Sequence, residues 1–299
     1  MQKVLITGGT GLIGIKLSSL LHLKGYEVRI LSRSEKSNSH YKTFLWDVEQ
    51  NSIDEKAFED LDYIIHLAGA GIADKKWSKK RKQEIIESRV HSTSMLYNSV
   101  QKLQIPIKAF ISASAIGYYG SITSDIIFEE NHKPKNDFLS KVCRLWEESI
   151  FIFQQNKIRT VALRTGIVLS TDGGALKKMK TFIVTPLGNG KQYMPWIHID
   201  DMCNMYIKAI EDNEFQGIYN AVAPDHQTNT EFSKAVAHIF KRPFIPFGVP
   251  AFILKIIFGK MATIILNGSR VSTKKIEKSG FKFQFPKLED ALQALKRSN

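Results

Sequence analysis

The stretch from Val4 to Gly14, Val-Leu-Ile-Thr-Gly-Gly-Thr-Gly-Leu-Ile-Gly, constrains this chain more than any other. An apolar run ends in a glycine-rich turn, and the turn opens onto Ile15 to Leu23, where apolar residues recur at helical spacing. Strand, glycine turn and helix form the context that a dinucleotide fingerprint requires. Gly8 turns the chain, Gly11 lets a pyrophosphate approach the backbone, and Gly14 lets the helix lie close to the strand. Free amides at the helix N-terminus then face the anion. Gly8, Thr10, Gly11, Leu12, Ile13 and Gly14 are therefore the candidate pyrophosphate contacts. The spacing is Thr-Gly-x-x-Gly-x-x-Gly, one residue longer between the first two glycines than Gly-x-Gly-x-x-Gly. A glycine turn alone can be merely structural; the strand before and the helix after favour a cofactor.

Apolar runs and helical stretches then alternate. Strands are expected at Glu27–Leu31, Thr43–Trp46, Leu61–Leu67, Ala109–Ser114 and Thr160–Arg164, and helices over 78–103 and 137–155. Such alternation predicts an α/β chain with a Rossmann-type, doubly wound parallel sheet. At the end of the second strand, where an NAD-binding fold places an acidic residue on the ribose hydroxyl, stand Ser32 and Arg33. A guanidinium suits a 2′-phosphate that a carboxylate would repel, so NADP(H) is favoured over NAD, with an ordinary surface loop as the alternative. Asp47 closes the third strand, where it can accept from an adenine amino group. Leu67, Ala68 and Gly69 close the fourth, where small residues leave room for a ligand above the sheet.

After Arg164 the alternation loosens into a loop-rich insertion, residues 166–195. A short strand and helix begin at Trp196, and Gly217–Val222 reads as a last strand. We expect a dinucleotide-binding core over residues 1–165, to which 196–222 return. A smaller, mostly helical substrate-binding lobe is expected over 166–299. Phe281–Phe285 alternates like a strand, and a helix is expected from Ser272. Phe247–Leu266 is the one long apolar stretch, but Gly248, Pro250, Lys255, Gly259 and Lys260 interrupt it. Buried helices of the second lobe fit it better than a membrane span, with an oligomer interface second.

The formal charge is +13, with the basic residues scattered and densest at Lys75–Lys82. That cluster reads as a solvated helix start, because no zinc spacing or nucleic-acid motif accompanies it. The chain is thus expected to take a small-molecule substrate, not nucleic acid or membrane, as a monomer or homodimer. Only Cys143 and Cys203 are present and no signal-peptide layout is seen, so the reducing cytoplasm is the expected compartment.

Together, Thr7–Gly14, Asp47, His66–Gly69, Ser112–Ser114 and Trp196–Asp201 resemble the extended short-chain dehydrogenase/reductases, which are Rossmann-fold sugar epimerases, dehydratases and reductases. Gly69–Ile72, Ser88-Arg89-Val90, Ser112–Gly120, Asp137–Leu139, Trp146-Glu147 and Arg164–Leu169 resemble the atypical "epimerase family" subgroup. The tail, with Gly268–Val271 and Gly280–Phe283, resembles that subgroup's C-terminal domain of unknown function. The resemblance implies an NADP-dependent oxidoreductase or epimerase acting on a small carbonyl or sugar-like substrate. It also implies that Arg89 and Arg164 join the cofactor contacts. Ser114 matches the wider family's catalytic serine, and Lys141 matches the lysine of its Tyr-x-x-x-Lys pair, which holds the nicotinamide ribose. The tyrosine position, however, is Asp137. A carboxylate is a poor match for the proton chemistry of an alkoxide. Tyr118, then Tyr119 or a water on Asp137, are the substitutes, with packing as the alternative role for both rings. The incomplete pair also leaves open a binding module that senses NADP(H) without turnover.

Overall fold

The computed structural model describes residues 1–34 and 40–297; the last two residues of the expected second lobe lie outside them. The core is an eight-stranded sheet. Its strands are β1 (Lys3–Thr7), β2 (Glu27–Ser32), β3 (Lys42–Asp47), β4 (Ser52–Ile53), β5 (Tyr63–His66), β6 (Ala109–Ala115), β8 (Arg159–Thr165) and β11 (Gly217–Ala221). The spatial order is β11-β8-β6-β5-β1-β2-β3-β4, parallel throughout except for the β3–β4 pair. Val4, Leu5 and Ile6 are fully buried, as a parallel strand covered on both faces requires. Because side chains alternate across a strand, Val4 and Ile6 face one layer and Leu5 the other. The first layer holds α1 (Leu12–Leu23) and α5 (Ile199–Glu211), the second α2 (Lys79–Lys102) and α3 (Phe138–Ile150). Ser78 caps α2 by accepting from the Arg81 amide, and Asp137 caps α3 by accepting from the Ser140 amide.

The chain runs outward from β1 in both directions, to β2 and to β5. The sheet therefore reverses between β1 and β5, and its ligand crevice opens at their C-terminal ends. The second lobe sits over that end. Its own core gathers Leu169, Trp196, Phe232 and Val236 with Leu288 and Leu292. It contains α4 (Gly174–Met179), α6 (Asn229–Ile239), α7 (Ala251–Phe258), α8 (Ala262–Leu266), α9 (Lys274–Lys278) and α10 (Leu288–Arg297). Two small parallel pairs tie it down: β9 (Ile167–Leu169) with β10 (Trp196–His198), and β7 (Ile127–Phe128) with β12 (Arg270–Val271). It touches both flanks of the crevice. Gly174 packs on Leu12 of α1, and Ser269 Oγ donates to the Ile122 carbonyl beyond β6.

Three expectations for the tail need correction. Phe281–Phe285 is not a strand: the Gln284 and Phe285 amides donate to the Asp201 carboxylate (2.7 and 3.0 Å), so no ladder forms. The helix begins at Lys274, not Ser272, and is a little over one turn long. Phe247–Leu266 is helical in part but not buried. Phe247 is 82% exposed and Ile256 74%, while Leu254, Met261 and Ala262 are its anchors.

Candidate functional site

The crevice is built by β1, β5 and the start of α1. Gly8 adopts φ +69°, and a Cβ there would lie 2.9 Å from the Leu67 carbonyl carbon. A Cβ on Gly14 would collide with the Gly8 carbonyl oxygen, so the helix can approach the turn only with glycine there. The Gly11 amide donates back to Gly8 (3.0 Å). Gly11 caps α1 without a side chain, and the first turn holds no carboxylate, so the amides at Leu12, Ile13 and Gly14 are open to an anion. Thr10 is exposed at the rim of the turn.

Beside the glycine turn, Thr7 Oγ1 accepts from the Leu67 and Ala68 amides (both 3.2 Å) and pairs with His66 Nδ1 (2.7 Å). His66 Nε2 pairs with Ser92 Oγ (3.0 Å), whose proton goes to the Ser88 carbonyl (2.7 Å). Ser92 must then accept from Nε2–H, which leaves Nδ1 to accept from Thr7. His66 is fully buried, and burial, helped by the Arg89 charge, pushes its pKa down to about 3. A neutral imidazole thus fixes the ends of β1 and β5 through α2. Sequence reading placed His66 and Thr7 in a motif but gave them no role.

Arg89 rises from α2 under Gly69, where a Cβ would lie 3.2 Å from its guanidinium carbon. Its Nη1 donates to the Ala70 and Ile85 carbonyls (3.1 and 2.9 Å), while its buried Nε has no partner. Burial lowers its pKa to about 10, so it stays charged near neutrality. Arg89, Leu67, Ala68 and Gly69 therefore share the crevice wall with the glycine turn. Ser32 and Arg33 lie at the end of β2, one strand away; Arg33 is exposed. Asp47 Oδ1 accepts from the Glu49 and Gln50 amides (2.8 and 3.0 Å), so one of its oxygens is spent on its own turn.

The catalytic candidates are arranged otherwise than their motif implies. Ser114 Oγ donates to Glu147 Oε1 (2.6 Å), so its proton is not offered to the crevice. Arg164, expected at the cofactor, is buried with every nitrogen engaged. Its Nε and Nη2 donate to the two oxygens of Glu147 (both 2.8 Å), and Nη1 donates to Tyr119 Oη and the Glu130 carbonyl (2.9 and 3.1 Å). Burial opposes its charge, but the Glu147 bonds and charge outweigh that and raise its pKa. Tyr119 donates to Asn220 Oδ1 (2.6 Å), and burial pushes its phenol up to about 12. Tyr119 is thus a structural member of a buried chain running from Ser114 through Glu147 and Arg164 to Asn220.

Lys141 is exposed on the face of α3 that carries the Arg144–Glu148 pair, whereas Ser140, Cys143 and Glu147 turn toward the sheet. The helix register therefore points the lysine away from the crevice, and its expected hold on a ribose is not met. Asp137 is consumed as a clasp: its carboxylate accepts from the Ser140 and Ser121 amides (2.9 and 2.6 Å). Of the two candidate tyrosines, Tyr118 is the one whose phenol has no hydrogen-bond partner among the described residues. Its ring lies 3.5 Å from the Arg164 guanidinium, and Ser140 Oγ donates to its carbonyl (2.7 Å). Cys143 and Cys203 are buried thiols pushed up to about 12 by burial, which leaves them inert. No cluster of metal-ligating side chains occurs among the described residues.

A doubly wound parallel sheet, reversed beside an uncapped glycine-turn helix, defines a Rossmann-type nucleotide-binding protein. Residues 4–221 match the NAD dependent epimerase/dehydratase family, and residues 249–295 match a domain of unknown function (DUF1731). The chain belongs to that epimerase/dehydratase family. It is 34% identical to the epimerase family protein SSP1921 of Staphylococcus saprophyticus, over 99% of each chain. It is also 34% identical to the epimerase family protein YfhF of Bacillus subtilis, over 98% of each. The human epimerase family protein SDR39U1, crystallised with NADPH, superposes over the whole of both chains with a TM-score of 0.87 at 30% identity.

Proposed function

We propose that the protein binds NADP(H) across the β1–β5 crevice and acts as an oxidoreductase or epimerase on a small carbonyl or sugar-like substrate. The observation that carries the reading is the uncapped N-terminus of α1, held against Gly8 and Leu67 with no carboxylate in its first turn. Arg33 stands where an NAD-selecting carboxylate would stand, and the human relative was crystallised with NADPH. Leu12, Ile13 and Gly14 would receive the pyrophosphate, Arg33 the 2′-phosphate, and Arg89 would add charge from below Gly69. When bound, the nicotinamide supplies or accepts a hydride. Tyr118 is then the side chain free to move a proton, since Ser114 and Tyr119 have committed theirs. Ser114 can still accept a hydrogen bond from a substrate hydroxyl.

One observation favours a second reading, a protein that senses NADP(H) without turnover. The position of the usual tyrosine is a helix cap, and the neighbouring lysine faces away from the sheet. One experiment separates the two. The purified protein is titrated with NADPH, then its NADPH oxidation is measured against a panel of carbonyl compounds, beside Tyr118→Phe. Turnover that the variant loses, with NADPH affinity kept, supports the enzyme. NADPH binding without turnover on any compound supports the sensor, and no nucleotide binding at all refutes both.

A further inference from the structure

The apolar face left uncovered on the second lobe is continuous. Residues 184–188 run beside 243–249, joined by bonds that include Ile245 N to the Val184 carbonyl (3.0 Å) and Gly188 N to the Val249 carbonyl (2.8 Å). Phe182 (76% exposed) precedes this ribbon, Phe247 stands on it, and α7 follows directly with Phe252, Ile256 and Ile257 outward. Four-residue spacing puts Phe252 and Ile256 on one stripe of the helix, with Lys255 beside them. Bulky side chains so exposed and so grouped mark a contact surface rather than scattered surface residues.

The charge around this face decides what covers it. Residues 173–199 and 232–276 together hold twelve Lys and Arg and not one Asp or Glu, against +13 for the whole chain. The rest of the chain is therefore nearly balanced, and the positive charge, scattered in sequence, is gathered in this lobe. Lys180, Arg242, Lys255 and Lys260 lie within three residues of the exposed apolar side chains. A second copy on the same face would set these cations against their own images. An anionic partner would complement them. Apolar side chains projecting past a cationic rim are what an interfacial helix presents to acidic lipid. Lys255 can keep its ammonium at the headgroups while its stem follows the apolar face. No helix among the described residues is long and apolar enough to cross a membrane, so such contact is peripheral.

We infer that the face formed by Phe182, Phe247 and α7 docks the protein on an anionic lipid surface. The full chain is floated with vesicles of phosphatidylcholine alone and of phosphatidylcholine with about one third phosphatidylglycerol. Binding is expected to the mixed vesicles only and to fall with added salt. Phe252→Ser with Ile256→Ser, and separately Lys255→Glu with Lys260→Glu, should each weaken it about tenfold or more. The substituted side chains are exposed, so unfolding midpoints should not move. Absence of binding to the mixed vesicles, or equal binding to neutral ones, overturns the inference. So does a dimer in sedimentation velocity that Phe252→Ser with Ile256→Ser dissociates, since a second copy would then be the occupant. Should a variant fail to fold, the comparison of vesicles and the salt dependence of the unmodified protein still decide.

Discussion

Replacing Glu147 by alanine should show what the buried chain beneath the crevice contributes. The substitution removes the acceptor of three bonds at once: Ser114 Oγ at 2.6 Å and two Arg164 donors at 2.8 Å. Arg164 is 1% exposed, so water cannot take the place of the carboxylate. Stranding a buried charge costs about 3–5 kcal/mol, of the same order as two charge-assisted hydrogen bonds at about 1.5–3 kcal/mol each. For a chain of 299 residues that is a fall in Tm of roughly 5–8 °C. Combining Glu147→Leu with Arg164→Met removes both charges, and a packed apolar pair is often no worse than a buried ion pair. The double variant should therefore recover most of the loss, and a cycle built from Glu147→Leu, Arg164→Met and the double variant should give a coupling energy of about 2–3 kcal/mol. Urea unfolding monitored by fluorescence and circular dichroism provides the values. A single-variant cost below about 1 kcal/mol, or a double-variant cost equal to the sum of the singles, would refute the reasoning.

Three further outcomes are expected. NADP(H) should bind at least about tenfold more tightly than NAD(H), or about 1.4 kcal/mol, and Arg33→Ala should abolish the difference; equal affinities by calorimetry would count against the 2′-phosphate assignment. Gly14→Ala, which drives a methyl into the Gly8 carbonyl, should lower nucleotide affinity by about tenfold or more, and unchanged affinity would show that the turn is not the anion site. Stability should fall as pH drops below about 6.5, because burial depresses His66 to about 3 and His198 to about 4. The unfolded chain takes up these two protons first, so their contribution is present above about pH 6.5 and is lost toward pH 4, at up to about 1.4 kcal/mol per pH unit each. Urea midpoints unchanged between pH 7 and pH 5 would contradict this.

Much of the fold was legible because its signals are local. The run Val4–Ile6 is apolar throughout since both faces of β1 are covered, and Ser78 and Asp137 mark the starts of α2 and α3 by their caps. Strands β4, β7, β9 and β12, of two or three residues each, are too short to carry a period. The glycine turn was legible for the same reason as β1. The catalytic assignments were not, because they rested on spacing while the outcome rests on helix register and distant pairing. Lys141 keeps its motif position yet faces solvent. Glu147 meets Arg164 only because α3 crosses β8, which no local pattern announces. Phe247–Leu266 shows a different limit: apolar composition says that a surface wants cover, not that the same chain supplies it.

The place of β11 bears on how this protein can be taken apart. After β8 the chain leaves the sheet, lays down β9, α4 and the loops to Pro195, then β10 and α5, and only afterwards delivers the strand that pairs with β8. Nucleotide core and upper lobe are thus sewn together rather than strung in tandem. A fragment ending at residue 165 would leave β8 with one bare edge, open to pairing with another chain. It would also lack α5, whose Met202 and Tyr206 fill the layer under Val4 and Ile6. Swapping the lobe for another would take two junctions rather than one, plus a new tail, since α9 packs on β11 and α10 on α6. New specificity in such a chain is more readily obtained by changing loops on a lobe kept in place than by trading the lobe whole.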